Sequence, residues 1–439
     1  MPTASRLQRT IASDRDVRGV GFFQGRDVTL TLRPARADAG VVFVRTDLPG
    51  RPSVRAHVDH VVPSPRRTTI RQGDAVVSMI EHVMAALAGL RVDNCVVELD
   101  AAEPPGCDGS SLAFVEAILD AGTVELDRPR AALRIDAPVT VRDGLSALTA
   151  HPGDGAGCVL SYHLDYGRGT PIGSQSRFLD VTPESFAAEL AGCRTFLLES
   201  EAEALRRAGV GTRVTDADLL IFGPDGVIGN ALRFPDECVR HKILDMVGDL
   251  ALLGMDIHGH VVAHKSGHAL NAALVRELAA GLDRDDAPAP SALELARLLK
   301  GMPRRFPHVM IDGVVELDPG RRIKAFKDVH AGDPYLQQGA RGGRKVVPEV
   351  LVLEALTQAA GVMIAAHEGG ADKATFVSVI DQVMMGGPVG PGDRLDVEVE
   401  CLSLQPGGAL VRASARVGGR VVAEAEIQFV LVDADRSAA

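Results

Sequence analysis

VLVLEALTQAAGVMIAAH, residues 350–367, is apolar almost all the way round when read at helical spacing. A helix without a polar face cannot lie on a surface and has to be covered on most sides. The segments around it have the β-branched, alternating character of long strands. They are VMIDGVVELD (309–318), RRIKAFKDV (321–329), TFVSVIDQVMM (375–385), DRLDVEVECLSL (393–404), ALVRASARV (409–417) and RVVAEAEIQFVLVD (420–433). One buried helix wrapped by a curled antiparallel sheet is the simplest arrangement that satisfies both patterns.

Upstream, DRDDAPAP (283–290) is charged and proline-rich, and can neither continue a helix nor pair in a sheet. SALELARLLK follows, with Ser291 as its N-cap, so 283–303 reads as a linker and short helix. Before it, strand-like RDVTLTLRP (26–34), GVVFVRT (40–46) and NCVVELD (94–100) accompany helix-like VVSMIEHVMAALAGL (76–90) and SLAFVEAILDAG (111–122). Gly89 suits a C-terminal cap of the first helix. After about residue 128 a similar order recurs. Strands fall within 132–165, helices at 183–192 and 200–208, a strand at 218–221 and a long helix from about 234 to 253. The chain therefore predicts an α+β protein with modules at 1–127, 128–282 and 304–439.

Composition narrows the function. With 46% hydrophobic and 24% charged residues, the 439-residue chain is a folded globular protein. Its 47 Lys+Arg against 58 Asp+Glu leave a net charge of −11, which speaks against a sequence-independent grip on nucleic acid. Trp is absent and Tyr numbers three, so base-stacking platforms are not expected either. No apolar run reaches the ~18 residues of a membrane span. The opening MPTASRLQRTIASDR lacks the apolar core of a secretory signal. Six scattered cysteines without a CxxC pair fit reduced thiols in a cytoplasm. A cytoplasmic enzyme, a metabolite sensor and an assembly scaffold remain.

Three patterns can carry chemistry. In RHKILDMVGD (240–249), His241, Asp245 and Asp249 recur every four residues on one helix face. An imidazole and a carboxylate one turn apart can share a zinc ion; the alternative is a surface His–Asp pair. Glu81-His82 sits inside an apolar helix, where burial requires a strong partner such as a metal, unless both occupy a narrow exposed stripe. In HKSGHALN (264–271), His268 follows a Ser-Gly turn that can project it into a cleft. Together these residues would make a three-ligand catalytic site with its acid and base. Cys238 with His241, His57-x-Asp59-His60, and His258 with His260 are competing groupings, none of which brings both an acid and a base.

Three stretches, VSMIEHVMAALAGLRVDNCVVELDAAEPPGCDGSSLAFV, LRFPDECVRHKILDMVGDL and HKSGHALN, strongly resemble the UDP-3-O-acyl-N-acetylglucosamine deacetylases of lipid A synthesis. The resemblance covers roughly 6–280 and implies two α/β sandwich domains with zinc between them. It implies His82, His241 and Asp245 as ligands, with ferrous iron as an alternative metal. Glu81 would be the general base and His268 the acid, oriented by Asp249. Lys242 would hold the water or substrate, and Thr195 in CRTF would stabilise the oxyanion. The implied substrate is UDP-3-O-(3-hydroxyacyl)-N-acetylglucosamine, a sugar-nucleotide lipid, and the product acetate. The periphery departs from the family: FFQG (22–25) replaces LHTG, Ser146 replaces a lysine expected near the nucleotide phosphates, Arg213-Val214 replaces a Gly-Gly pair, and Cys238 replaces a Phe.

Residues 304–433 resemble 3-hydroxyacyl-acyl-carrier-protein dehydratases, which are hotdog folds, through RRFPHVMIDGVVELDPGRRIKAFKDV, VVPEVLVLEALTQAAG and GPVGPGDRLDVEVE. Glu354 stands at the catalytic Glu. In QGARGG (338–343), however, Ala340 stands where the catalytic His belongs, with Arg341 and Arg344 nearby. Dehydration needs both a base and an acid. A silent hotdog that drives homo-oligomerisation is therefore expected, with Glu354 hydrogen-bonded to a backbone amide. A bifunctional deacetylase/dehydratase using acyl carrier protein, with His330 as substitute acid, is the alternative. A zinc-holding sensor or scaffold without catalysis is a third.

Overall fold

Alternate residues of Asp27–Pro34 and Val41–Arg45 are buried, with Val28, Leu30, Leu32, Val41 and Phe43 facing the core. This is the period-two pattern that a half-covered strand requires. The computed structural model describes residues 3–136, 138–153, 157–167, 169–282, 309–330, 333, 335–339, 344–367 and 373–433. The expected linker and helix at 283–303, Ser291, Ala340 and Arg341 lie outside them. The chain forms two compact units, 1–135 with 139–283, and 284–439 with 136–138.

The first unit contains two main sheets. One runs Arg15–Val20, Asp27–Pro34, Cys95–Leu99, Val41–Arg45, Ser53–Arg55. The other has seven strands and is organised around Asp256–His264, which pairs with Thr123–Arg134, Ser146–His151 and Cys158–Asp165. The first strand, Thr3–Ile11, pairs with Thr123–Arg134 and so belongs to this second sheet. Positions 127 and 128 fall inside the strand Thr123–Arg134. Five helices of the first unit matter below: α1 (Glu81–Gly89), α2 (Leu112–Ala121), α3 (Glu199–Arg207), α4 (Glu237–Leu250) and α5 (His268–Leu282).

Backbone contact between α1 and α4 fixes the site. A Cβ at Gly248 would stand 2.1 Å from the Glu81 carbonyl oxygen and 3.1 Å from the Ala85 nitrogen. Only glycine lets the two helices approach this closely. Gly89, expected to suit a C-terminal cap, instead makes room for a close contact. It is the last residue of α1, Leu90 is the cap, and a Cβ at 89 would meet the Phe186 ring at 2.3 Å.

Two helical segments differ from expectation in detail. The 183–192 region is a capped turn, Pro183–Ser185, followed by a π turn at Phe186–Leu190. The long helix begins at Glu237, after Pro235 and its cap Asp236, and ends in a 3-10 turn at Ala251–Leu253. Proline tolerates a helix start and not its interior.

The second unit is a hotdog fold. Its sheet runs Gly313–Asp318, Arg322–Asp328, Arg394–Gln405, Gly408–Val417, Arg420–Asp433, Lys373–Met385, every pair antiparallel. Helix α6 (Glu349–Ala365) packs on it through Val352, Leu356, Ala359, Met363 and Ile364, all buried. Among the described residues no helix is long and apolar enough to cross a membrane.

Candidate active site

The apolar helix α1 carries Glu81 and His82 in its first turn, both buried, so the exposed-stripe reading of this pair does not hold. Across the Gly248 contact, α4 carries His241, Asp245 and Asp249, also buried. His82 Nε2 lies 3.5 Å from Asp245 Oδ1, and His241 Nε2 lies 3.4 Å from the same oxygen. One donor atom from each of the three residues falls within 4.8 Å of the others. These gaps are long for hydrogen bonds. They match the about 3.4 Å between two donors that each lie ~2.1 Å from a tetrahedral zinc. The residues therefore fit a metal ion, with a fourth position left for water or substrate. Among the described residues no other group of three His, Cys, Asp or Glu donors converges in this way. His57 and Asp59 pair with each other at 3.1 Å, and Cys238 is buried outside the cluster.

The supporting contacts set the ligands. His241 donates from Nδ1 to the Cys193 carbonyl at 3.1 Å, which leaves Nε2 with its lone pair for a metal. Burial, opposed by Asp245, pushes His241 down to about 3 and keeps it neutral. For Asp245, burial alone would raise the carboxyl, but His241 and Lys242 hold it well below its ordinary value. Lys242 Nζ donates to Asp245 Oδ2 at 2.7 Å, so each carboxylate oxygen has its own duty.

The acid and base come from opposite sides. Glu81 Oε2 accepts from the Thr68 backbone N–H at 3.0 Å. Burial raises the Glu81 carboxyl, against the attraction of His268 and His82. His268, the first residue of α5, donates from Nδ1 to Asp249 Oδ2 at 2.8 Å. Burial would lower this imidazole, but Asp249 and Glu81 outweigh it and hold His268 up at about 9. Its Nε2 stands 3.9 Å from Glu81 Oε1 and 3.9 Å from Asp245 Oδ2. Thr195 sits beside the cluster, its hydroxyl 3.4 Å from His241 Nε2 and donating to the Gly109 carbonyl at 3.1 Å. All eight residues singled out in the first unit are thus neighbours in space.

Sequence reasoning missed the residues that orient these. Thr68 donates its hydroxyl to Asp249 Oδ1 at 2.5 Å, and Asn271 donates to Asp249 Oδ2 at 2.8 Å. Asn271 stands three residues after His268 on one helix face, a spacing that could have revealed it. The loop bearing Cys193 and Thr195 is held by Arg194 and Glu237, a buried pair 2.9 Å apart.

The cluster opens into a cavity of about 720 Å³. Phe22, Leu197, Leu205, Leu219 and Ile221 give part of its lining an apolar surface, Leu205 from α3. The departing FFQG turn belongs to this lining. Buried Glu103 accepts from the backbone N–H of Phe23 at 3.0 Å and of Gln24 at 2.6 Å. Arg213 pairs with Asp27 at 2.9 Å, so it ties its loop to that turn.

In the hotdog, Glu354 Oε1 accepts from Gln358 Nε2 at 2.8 Å, and Gln358 in turn accepts from the Met310 backbone N–H at 2.7 Å. Glu354 is thus hydrogen-bonded within its helix, and one of its partners is a side-chain amide. His330 is fully buried, and its backbone N–H donates to Asp333 Oδ2 at 2.9 Å.

Residues 8–280 match the family described as UDP-3-O-acyl N-acetylglycosamine deacetylase (LpxC), and residues 302–426 match a FabA-like domain. The chain is 34% identical over 464 residues to the bifunctional enzyme LpxC/FabZ of Chlorobaculum tepidum, covering 97% of this chain and 98% of that protein. It is 43% identical over 273 residues to the UDP-3-O-acyl-N-acetylglucosamine deacetylase of Citrifermentans bemidjiense, covering 62% of this chain and 88% of the relative. With the Chlamydia abortus deacetylase the identity is 40%, over 62% of this chain and 97% of that one.

Proposed function

Since the chain belongs to the UDP-3-O-acyl N-acetylglycosamine deacetylase family, a family of metalloenzymes, we propose that it hydrolyses the N-acetyl group of UDP-3-O-(3-hydroxyacyl)-N-acetylglucosamine, releasing acetate, for lipid A synthesis in the cytoplasm. The observation that carries this reading is the convergence of three metal donors with a buried acid and a buried base on one cavity. His82, His241 and Asp245 would hold zinc, or ferrous iron, which the same donors accept. A metal bound there would supply Lewis acidity, towards a carbonyl and towards water.

The protein's own groups do the rest. Glu81 removes a proton from the attacking water, for which its raised carboxyl is suited. Thr195 turns its hydroxyl from Gly109 towards the oxygen on which charge develops, and Lys242 adds its own charge on the same side. His268, kept protonated by Asp249, gives its Nε2 proton to the departing amine. The apolar part of the cavity lining takes the acyl chain. A purified chain should carry one metal ion and release acetate from this substrate. Chelation should abolish the release, and zinc should restore it. A fully metallated chain that liberates no acetate would leave a non-catalytic sensor instead.

The hotdog is silent as a dehydratase in this reading, and it pairs two copies of the chain. Its edge strand Lys373–Met385 supports such pairing, since Phe376, Val379, Val383 and Met384 are exposed. The whole-length relative favours a second reading, a bifunctional deacetylase/dehydratase that would take acyl carrier protein as partner. Against it stand Ala340 at the histidine position and Glu354 engaged by Gln358. Offered a 3-hydroxyacyl thioester, the full-length chain should form no enoyl product. Steady enoyl formation would establish the bifunctional reading.

A further inference from the structure

Among the described residues, four Arg or Lys side chains line the active-site cavity: Arg66, Arg67, Arg206 and Lys242. Three already have a carboxylate partner. Arg66 pairs with Glu201 at 2.8 Å, Arg206 with Asp216 at 2.8 Å, and Lys242 with Asp245 at 2.7 Å. Arg67 makes no ion pair among the described residues. Its guanidinium carbon lies over the Phe23 ring, 3.9 Å from the centroid. Its Nε is shut off from solvent and has no hydrogen-bond partner. An arginine stacked in this way has its forked N–H edge fixed in direction and ready for a bidentate anion.

We propose that Arg67, shelved on Phe23, binds the diphosphate of the sugar-nucleotide substrate. This inference rests on the deacetylase reading and adds to it the residue that selects a nucleotide-linked sugar. Two further observations support it. Thr68, the next residue, holds both Glu81 and Asp249, so Arg67 stands on the wall that also carries the base. Asp143 and Ser146, which also line the cavity, supply no positive charge, and the Ser146 hydroxyl donates to the Lys265 carbonyl at 2.9 Å. The shelf is itself anchored, since Glu103 fixes the Phe23 backbone. Phe23 and Arg67 thus act as a pair, one supplying the plane and the other the charge.

Calorimetry on the metal-loaded full chain, with UDP and with uridine as probes, tests this. In the wild type UDP should bind more tightly than uridine. Arg67→Ala should weaken UDP by about 10- to 100-fold, the loss expected for a charge-assisted fork, and leave uridine within about twofold. Arg67→Lys should recover only part, because it keeps the charge and loses the fork. Phe23→Leu should fall between wild type and Arg67→Ala. In acetate release, Arg67→Ala should raise KM by the same factor with kcat little changed. An unchanged preference for UDP over uridine in Arg67→Ala would overturn the inference and leave the deacetylase standing, provided the wild type still releases acetate. A wild type that neither releases acetate nor binds UDP would overturn both.

Discussion

Glu81→Gln should slow acetate release by about 10²- to 10⁴-fold, the usual share of a general base, while the chain still binds one metal ion. Glutamine is close in shape to glutamate and keeps an oxygen for the Thr68 backbone N–H, so α1 should stay in register with α4. It cannot accept a proton from water at neutral pH. The metal donors are separate atoms on His82, His241 and Asp245, and none of them bonds to Glu81. Loss of turnover with metal retained is therefore the signature of a base rather than a ligand. Metal analysis and acetate release on the same preparation give both quantities. If the variant loses its metal, Glu81 belongs to the coordination sphere. If it keeps near wild-type rates, another group takes the proton.

The parts of this site that could be read from sequence are those encoded by side-chain type and helical spacing. His241, Asp245 and Asp249 at four-residue intervals announce one face of a helix, and Glu81-His82 within an apolar run demands a buried partner. The all-round apolar run at 350–367 likewise has no solution except burial, and the sheet around α6 follows from it. What could not be read depends on backbone or on distant pairing. The acceptor that fixes the His241 tautomer is the carbonyl of Cys193, and a carbonyl is present at every residue. The contact at Gly248 depends on where α1 lies, not on anything local to α4. Gly89 looked like a cap because it ends a helical pattern, yet packing against Phe186 is what excludes a side chain there. The stacking of Arg67 on Phe23 joins positions 44 residues apart, and nothing in the FFQG stretch or around Arg67 points to the other. Membership of the first strand in the second sheet is also a tertiary fact: its alternation is the same in either sheet.

Glu237→Ala should destabilise the first unit by about 3–5 kcal/mol, because it strands a buried cation. Arg194 and Glu237 have side chains 4% and 0% exposed, so water cannot replace the lost carboxylate. Arg194 donates from Nε to Glu237 Oε1 at 2.9 Å, from Nη1 to Asn230 Oδ1 at 2.8 Å and from Nη2 to the Ala231 carbonyl at 2.6 Å. Glu237 also accepts the backbone N–H of Arg233 at 2.6 Å and of Arg194 at 3.1 Å. The pair thus ties three backbone segments together, and one of them is the loop that presents the Cys193 carbonyl and Thr195. Metal affinity should fall about 10- to 100-fold with the loss of that support for His241. The double variant Arg194→Met with Glu237→Leu separates the two effects. Removing both charges should return most of the stability, since a packed apolar pair avoids the desolvation of ions. It should not return the metal affinity, because nothing then accepts the N–H groups that aim the loop. Urea unfolding and metal titration of the three proteins measure the two quantities independently. Equal recovery of both in the double variant would mean that the ion pair only fills space, and that His241 is oriented by its own helix.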